Sequence, residues 1–302
     1  MKIGIALYPA PPDVALDDRP GFWIEEAARL GVQVVNGEYR MVFGWDPRQL
    51  NLETMRRLRA RADELGVEIE PYAGPFFGLV GPDAAEQRAM ALASIQAARI
   101  LGGPYLRTGY GQLTLATSRF SPVVSLAEHL KRLVASLREA ARMAEDAGVV
   151  LAVENHGDFS GRELASVIAE VDAPVVRAAF DTGNSIYVFS GPLDDLVALA
   201  PVTVMVHLKN LCVVQNDVPG RLPFIAVGCA LCQGMIDIPT VVRTLWEQGP
   251  RGRDLPLMIE MSPASTVRGE DTVAVRRRMF TDSIAYLRSL VVDLERDAAR
   301  PA

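Results

Sequence analysis

Cysteine and histidine are scarce in this sequence, with three of each in 302 residues. Three cysteines (Cys212, Cys229 and Cys232) are too few for a disulfide framework, which favours a reducing compartment. Cys229 and Cys232 form one C-x-x-C, and neither a second such pair nor a histidine pair accompanies it. We therefore interpret these cysteines as packing residues rather than as a zinc or redox site.

Long apolar runs and blocks of like charge are also missing. No window approaches the 18 or more apolar residues of a membrane helix. The N-terminus, MKIGIALYPAPP, has one lysine and a short apolar run, which is not typical of a signal peptide, so we expect a cytoplasmic protein. The net charge of −6 is spread along the chain. This pattern argues against nucleic acid and membranes as partners, favours a small polar molecule, and leaves a homo-oligomer open.

The first half of the sequence repeats one unit: an amphipathic helix, a glycine, then a β-branched run. The glycines are Gly31, Gly66, Gly102 and Gly148. A glycine just past a helix takes the left-handed conformation that ends the helix and turns the chain into the next strand. Alternation of helix and strand therefore predicts an α/β fold.

Eight apolar runs are typical of buried parallel strands. They cover residues 2–7, 32–36, 67–72, 104–109, 149–154, 176–181, 202–207 and 256–260. Helical patterns cover 52–65, 83–101, 126–147, 161–171 and 238–248, with a C-terminal helix at about 271–296. We predict a single (β/α)8 TIM barrel over residues 1–302. A doubly wound sheet is the competitor, but YPAPPD after the first strand offers no glycine-rich phosphate loop.

Four ionisable residues stand at the ends of four of these runs. Glu154, Asp181, His207 and Glu260 end VVLAVE, VVRAAFD, VTVMVH and LPLMIE. Only a closed ring brings the carboxyl ends of strands five to eight together. Three carboxylates suit a hard divalent cation, and one imidazole shifts the preference toward Mn²⁺, Co²⁺ or Zn²⁺. The sequence therefore predicts one metal site at this rim.

Short motifs around these residues resemble the xylose isomerase-like TIM-barrel superfamily, in its sugar phosphate isomerase/epimerase branch. They are ENH at 154–156, FDTGN at 180–184, HLKN at 207–210, QGMID at 233–237 and IEMS at 259–262. The resemblance covers essentially the whole chain. It implies that Glu154, Asp181, His207 and Glu260 hold one divalent cation, foremost Mn²⁺, with Mg²⁺, Co²⁺ and Zn²⁺ as alternatives. It also implies that Glu154 and Glu260 face each other across a carbohydrate as an acid/base pair.

The resemblance implies substrate contacts for His156, Asn184, Lys209, Arg107 and Arg221. For His156 the alternative is to orient a carboxylate, and for Lys209 it is a buried salt bridge to Glu154 or Asp181. Arg107 reads a substrate oxygen or pairs with Glu154. Arg221 follows the long loop after strand seven, where related epimerases carry a substrate-contacting arginine.

Two positions depart from the family pattern. Asn184 stands where ketose 3-epimerases place a substrate histidine, and Asn210 replaces the aspartate common after HLK. Free-ketose 3-epimerisation is therefore in doubt. Near the pocket, Tyr8, Phe76 and Phe77 are candidates for an apolar wall, with ordinary loop packing as the default.

The metal site, together with this resemblance, implies a metal-dependent isomerase or epimerase that acts on a sugar or keto-sugar derivative through an enediolate. A lyase on the same site, either an inosose-type dehydratase or a 3-keto-glycoside eliminase, needs the same intermediate and is the near alternative. An AP endonuclease of the endonuclease IV type shares the barrel, but it needs many histidines and a basic groove. A non-catalytic carbohydrate-binding barrel is the remaining alternative.

Overall fold

The computed structural model of this chain describes residues 1–38, 51–74, 84–110, 119–216, 219–261 and 272–299. Eight parallel strands close into one barrel, with the order β1-β10-β7-β6-β5-β4-β3-β2 around the ring. The barrel strands are β1 (Ile3–Ala6), β2 (Val34–Glu38), β3 (Glu68–Tyr72), β4 (Tyr105–Thr108), β5 (Val150–Glu154), β6 (Val176–Asp181), β7 (Thr203–Leu208) and β10 (Leu257–Glu260). The predicted TIM barrel is confirmed.

Within the described ranges, eight α-helices connect or follow these strands. They are α1 (Arg19–Leu30), α2 (Leu52–Leu65), α3 (Ala84–Leu101), α4 (Leu126–Ala147), α5 (Gly161–Val171), α6 (Pro192–Leu199), α7 (Ile238–Gln248) and α8 (Thr272–Ala298). Gly31, Gly66 and Gly148 follow α1, α2 and α4 with φ of 64°, 66° and 65°. The predicted glycine caps are thus present, because only glycine takes this conformation without strain. None of the described helices has the length and apolar character that a membrane span requires.

The segment after β7 forms a hairpin that we had expected to be a long loop. Strand β8 (Asn210–Gln215) pairs antiparallel with β9 (Phe224–Cys229), outside the barrel. The sequence signal was two β-branched runs on either side of NDVPG, whose residues favour a turn. All three cysteines are free. Burial, with Cys212 as a neighbour, raises the pKa of Cys229 to about 12, so this thiol stays protonated.

At the amino ends of the strands, the barrel is closed around a buried ion pair. Arg251, which precedes β10, donates to Glu70 Oε1 at 2.7 Å and to the carbonyl of Val204 at 2.9 Å. Its guanidinium lies 4.1 Å from the ring centre of Tyr105. The side chains of Arg251 and Glu70 are only 13% and 5% exposed. An acid buried this deeply depends on its cationic partner.

We therefore predict that Arg251→Met strongly destabilises the fold, by about 3–5 kcal/mol, because it leaves the Glu70 carboxylate buried and unpaired. Chemical denaturation of the purified variant measures the loss. Arg243→Met is the matched control, since the Arg243–Asp297 pair is 51% and 43% exposed. That change should cost less than about 1 kcal/mol. Equal losses in the two variants would contradict the prediction.

Candidate metal centre and active site

Four ionisable side chains converge at the carboxyl end of the barrel. Glu154, Asp181 and Glu260 are the last residues of β5, β6 and β10, and His207 is the penultimate residue of β7. All four are buried, and one ligand atom of each lies within 4.8 Å of the others. The strand register contributes directly, because Asp181 is paired with His207. A buried site that could hold a divalent metal is therefore present.

The donor atoms of this cluster fit a divalent cation. Glu154 Oε2 and His207 Nε2 are buried, and neither has a hydrogen-bond partner within the described ranges. A buried polar atom without a partner is rare and requires an explanation, such as a bound ion. Carboxylate oxygens with one imidazole nitrogen are ligands that Mn²⁺, Mg²⁺, Co²⁺ and Zn²⁺ accept. Glu154, Asp181, His207 and Glu260 would hold that ion.

Two buried cations already neutralise part of the cluster. Arg107, on β4, forms an ion pair with Glu154, and its guanidinium lies 3.9 Å from the ring centre of Tyr72. Lys209 Nζ lies 2.7 Å from Asp181 Oδ2 and 3.0 Å from Glu260 Oε1. Three carboxylates against two cations leave one negative charge in excess. A divalent cation is thus electrostatically favoured here.

The charges around the two glutamates keep both of them ionised. Burial raises the pKa of Glu154, but Arg107 and the nearby His156 and His207 outweigh it, so the net shift is downward. The pKa of Glu260 lies well below its ordinary value, since Lys209 and the hydrogen-bonded His207 outweigh burial in the same way. Asp181 differs, because burial keeps its pKa raised despite Lys209. Glu154 and Glu260 are therefore available as proton acceptors.

Two polar side chains that we had not singled out fix the strand ends. Asn155 Oδ1 accepts from the backbone N–H of Asp181 at 2.7 Å, and Asn155 Nδ2 donates to the Asp181 carbonyl at 3.0 Å. Thr182 Oγ1 donates to the Lys209 carbonyl at 2.7 Å and accepts from its N–H at 2.8 Å. Asn155 lies in the motif ENH and Thr182 in FDTGN, so these motifs could have identified both residues from the sequence. Their bonds hold β5, β6 and β7 in register at the site.

Asn210, one of the two departures from the family pattern, has a structural role. Its Nδ2 donates to the carbonyls of Leu231 and Ile236 at 2.8 and 3.1 Å, and its Oδ1 accepts from the N–H of Ile236 at 2.9 Å. An amide can donate and accept at once, whereas an ionised aspartate can only accept. Gly234 leaves the room for this amide, since a Cβ there would lie 2.0 Å from Asn210 Oδ1.

The substrate-contact candidates lie at different distances from the cluster. Asn184 is buried, with Nδ2 3.5 Å from Glu154 Oε1 and Oδ1 3.4 Å from Lys209 Nζ. His156 is partly buried beside Glu154. Arg221 is exposed in the turn between β8 and β9. Arg107, Asn184 and Lys209 are thus brought together, whereas Arg221 is not in contact with them.

The proposed aromatic wall is only partly described. Tyr8 belongs to the hydrophobic core, where its ring packs edge-on against Phe280 at 5.0 Å. Its backbone carbonyl accepts from Trp23 Nε1 at 2.7 Å. Tyr8 therefore fits the default of ordinary packing. Phe76 and Phe77 lie outside the described residues.

Comparison with known proteins identifies the family to which this chain belongs. Residues 24–289 match the family described as xylose isomerase-like TIM barrel. The match covers most of the chain. This protein therefore belongs to the xylose isomerase-like TIM barrel family.

One curated relative matches over a shorter stretch. The uncharacterized protein YihM of Escherichia coli K12 is 32% identical over 78 residues, which is 26% of this chain. The match spans only 23% of the length of YihM. This short match indicates a relationship to YihM and gives no information about activity.

Solved structures share the fold at low sequence identity. A D-psicose 3-epimerase crystallised with D-fructose superposes with a TM-score of 0.71 at 17% identity, over 96% of this chain and 99% of that one. The 3-keto-D-glucoside 4-epimerase YcjR of Escherichia coli gives 0.65 at 16%, over 96% and 99%. A xylose isomerase-like barrel protein of Mycobacterium smegmatis, in complex with magnesium, gives 0.63 at 18%, over 94% and 97%.

We predict about one bound divalent cation per chain, detected by elemental analysis after purification in Mn²⁺-containing buffer. His207→Ala should lower this content strongly, because it removes the only nitrogen ligand of the cluster. His129→Gln is the control: His129 is also buried, but it lies on α4 and is bonded to Tyr110. Undiminished metal in the His207 variant, with wild-type circular dichroism, would remove His207 from the site.

We also predict that Lys209→Met tightens metal binding, whereas Lys209→Arg leaves it nearly unchanged. The lysine charge lies at 2.7 and 3.0 Å from two of the ligand carboxylates, where it opposes a second cation. Its removal should raise the affinity of the metal-free protein for Mn²⁺ by at least about tenfold, or about 1.4 kcal/mol. Calorimetric titration measures the change. Weaker binding in Lys209→Met would instead mean that Lys209 chiefly orients the ligands.

Proposed function

We propose that this protein is a divalent-metal-dependent isomerase or epimerase acting on a sugar or keto-sugar derivative through an enediolate. The observation that carries the proposal is the buried cluster of Glu154, Asp181, His207 and Glu260 at the carboxyl end of the barrel. This is the end at which TIM-barrel enzymes hold their active sites.

The positions of Glu154 and Glu260 suit proton transfer on two faces of one substrate. In the ring of strands, β7 and β6 separate β10 from β5, so the two glutamates enter the opening from strands three positions apart. Both have lowered pKa values and are ionised at neutral pH. One glutamate removes the proton next to the carbonyl, and the other returns a proton to the opposite face or to the neighbouring carbon.

The remaining residues of the site orient these glutamates and the substrate. Arg107 holds Glu154 through the buried ion pair, and Lys209 holds Asp181 and Glu260. We assign hydrogen bonds to substrate hydroxyls to Asn184, which lies beside Glu154, and to the partly buried His156. Arg221 would contact the substrate only if the substrate reached the turn of the hairpin. A bound divalent cation would supply Lewis acidity to the carbonyl and hydroxyl oxygens of the substrate.

The comparisons support the substrate class and the kind of cofactor. The superposed structures are named as epimerases of D-psicose and of a 3-keto-D-glucoside, and a third contains magnesium. We infer a small carbohydrate as the substrate of this chain and Mn²⁺ as its foremost ion, with Mg²⁺, Co²⁺ and Zn²⁺ as alternatives. The free cysteines favour a cytoplasmic location.

The proposal is tested by incubating the metal-loaded protein with keto-sugars and polyols in D₂O. Deuterium incorporation with an intact carbon skeleton is the expected result, since an enediolate exchanges its proton with solvent. Loss of water or of an aglycone would instead assign the lyase reaction. A metal-replete protein that is inert toward the whole set would favour a carbohydrate-binding barrel without catalysis.

We predict that Glu154→Gln and Glu260→Gln each lower kcat by on the order of a hundredfold or more, the scale of general acid–base catalysis. Glutamine keeps an oxygen that can ligate, so residual metal with lost turnover would point to proton transfer. With a single epimer in D₂O, only the glutamate that faces the labile hydrogen should be needed for exchange. The other should be needed to complete inversion.

Glu68→Gln is the control for these variants, because Glu68 is the first residue of β3 and its pair with Lys2 is exposed, with the two side chains 46% and 49% accessible. Its turnover should stay near that of the wild type. Near-wild-type exchange and turnover in both Glu154→Gln and Glu260→Gln would refute the two-glutamate mechanism. In that case, His156 or Lys209 would become the leading base.

A further inference from the structure

Two adjacent arginines lie at the mouth of the barrel. Arg276 and Arg277, in the second turn of α8, are both partly buried. Arg276 Nη2 donates to the carbonyl of Leu7 at 3.1 Å, and Arg277 Nη2 donates to that of Pro9 at 3.4 Å. These carbonyls belong to the loop after β1, at the carboxyl end of the barrel. Helix α8 therefore places two cations beside the opening that contains the metal ligands.

The strand register places Arg276 near Glu260. Ala6, the last residue of β1, is paired with Glu260, and Leu7 follows it. Neighbouring strands lie about 4.8 Å apart and consecutive residues about 3.8 Å, so the Arg276 guanidinium lies on the order of 10 Å from the Glu260 backbone. Burial lowers the pKa of Arg276, and the charge of Glu260 counteracts this shift, so the two groups interact. A small molecule bound at the metal ligands can therefore extend to Arg276.

Neither arginine is paired with an acid, in contrast to other buried arginines. Arg107, Arg119 and Arg251 each form an ion pair with a glutamate. Within the described ranges, no carboxylate lies at ion-pair distance from Arg276 or Arg277, and the Nε of each is buried without a hydrogen-bond partner. A buried donor without a partner requires an explanation, such as a ligand. Both guanidinium groups retain donors for an anion.

The carbonyl that holds Arg276 belongs to a strained residue. Leu7 has a φ of 52°, in the left-handed region that residues other than glycine rarely adopt. Strain of this kind persists only where the surroundings hold it, and it clusters at ligand-binding and active sites. Pro9, Pro11 and Pro12 restrict the loop that follows. The loop therefore holds the guanidinium in place before a ligand binds, which lowers the entropic cost of binding.

The charge at the opening favours an anionic substrate once a metal ion is bound. The three carboxylates against Arg107 and Lys209 leave one negative charge. A divalent cation would turn this into one positive charge, and Arg276 and Arg277 add two more at the rim. A neutral sugar leaves these charges unbalanced, whereas a sugar that carries a phosphate or a carboxylate offsets them.

We propose that Arg276, with Arg277 beside it, binds an anionic group at the end of the substrate away from its carbonyl. Phosphate and carboxylate oxygens both match the planar fork of a guanidinium, which stays charged at neutral pH. Arg276 thus determines specificity for anionic sugars and takes no part in proton transfer. The inference rests on the proposed function for the position of the substrate carbonyl.

Isothermal titration calorimetry on the Mn²⁺-loaded protein, at constant ionic strength, tests the proposal. The ligands are two matched pairs: D-fructose with D-fructose 6-phosphate, and D-glucose with D-glucuronate. In at least one pair the anion should bind at least about tenfold more tightly than the neutral sugar, the scale of hydrogen bonds to charged groups. The pair with the larger ratio distinguishes a phosphate from a carboxylate. Equal affinities in both pairs would overturn the proposal.

Substitution of Arg276 tests where the anion binds. Arg276→Met should lower the affinity for the anion at least about tenfold and leave that for the neutral sugar nearly unchanged. Arg276→Lys should retain part of the preference, because it keeps the charge but not the fork. Arg288→Met is the matched control: Arg288 also lies on α8, and its Nη2 donates to the carbonyls of Leu30 and Gly31 at 2.8 Å, at the amino end of the barrel. Its preference should equal that of the wild type.

Two further results separate this proposal from its alternatives. A preference that survives unchanged in a folded Arg276→Met would overturn it, because the anion would then bind the metal ion itself. Circular dichroism establishes folding, and if Arg276→Met does not fold, an unchanged preference in both Arg276→Lys and Arg277→Met overturns the proposal instead. Deuterium exchange into neutral keto-sugars without any preference for anions would leave the proposed function standing and refute the role of Arg276. A preference that depends on Arg276, in a protein that exchanges no deuterium, would refute the function and keep the anion site.

Discussion

The burial of three carboxylates at one rim is the constraint on which the rest of this site depends. Ionised carboxylates out of water are costly unless cations accompany them, and here Arg107 and Lys209 do so. The other end of the barrel holds one buried acid and one cation, Glu70 and Arg251, and is balanced. Among the described residues, the carboxyl end has three buried carboxylates against these two cations. This distribution of buried charge makes the carboxyl end the more favourable place for a cation.

Much of this arrangement could be predicted from the sequence, because it follows from local rules. Strands β2 to β5 are apolar runs that each follow a helix ending at a glycine with positive φ, and a parallel ring brings the last residues of successive strands together. Glu154, Asp181, His207 and Glu260 could therefore be placed without coordinates. We missed the hairpin, although NDVPG favours a turn, because its strands pair outside the barrel and a β-branched run after β7 also fits a loop.

The partners of the buried cations were harder to predict than the acids. One of our two interpretations of Lys209 was a buried salt bridge to Glu154 or Asp181; Lys209 does contact Asp181, but its second partner is Glu260. The reason is the strand order: β7 lies between β6 and β10, so a side chain just beyond β7 reaches both neighbours but not β5. Arg107 pairs with Glu154 because β4 and β5 are adjacent. A sequence pattern predicts the strand on which a residue lies. It does not predict which residue of a neighbouring strand a long side chain contacts.

The two cations also bear on how a metal ion would relate to the fold. In proteins whose structural zinc drives folding, the metal site does not exist in the metal-free chain, so metal binding supplies the free energy of folding. Here the carboxylates are already held by Arg107, Lys209 and the backbone N–H groups of Gly183 and Asn184, which bond Asp181 Oδ1 at 2.9 and 3.1 Å. The ligands are positioned before a metal ion binds. The ion would therefore serve chemistry rather than folding, and its affinity would be set by competition with a lysine that occupies the same carboxylates.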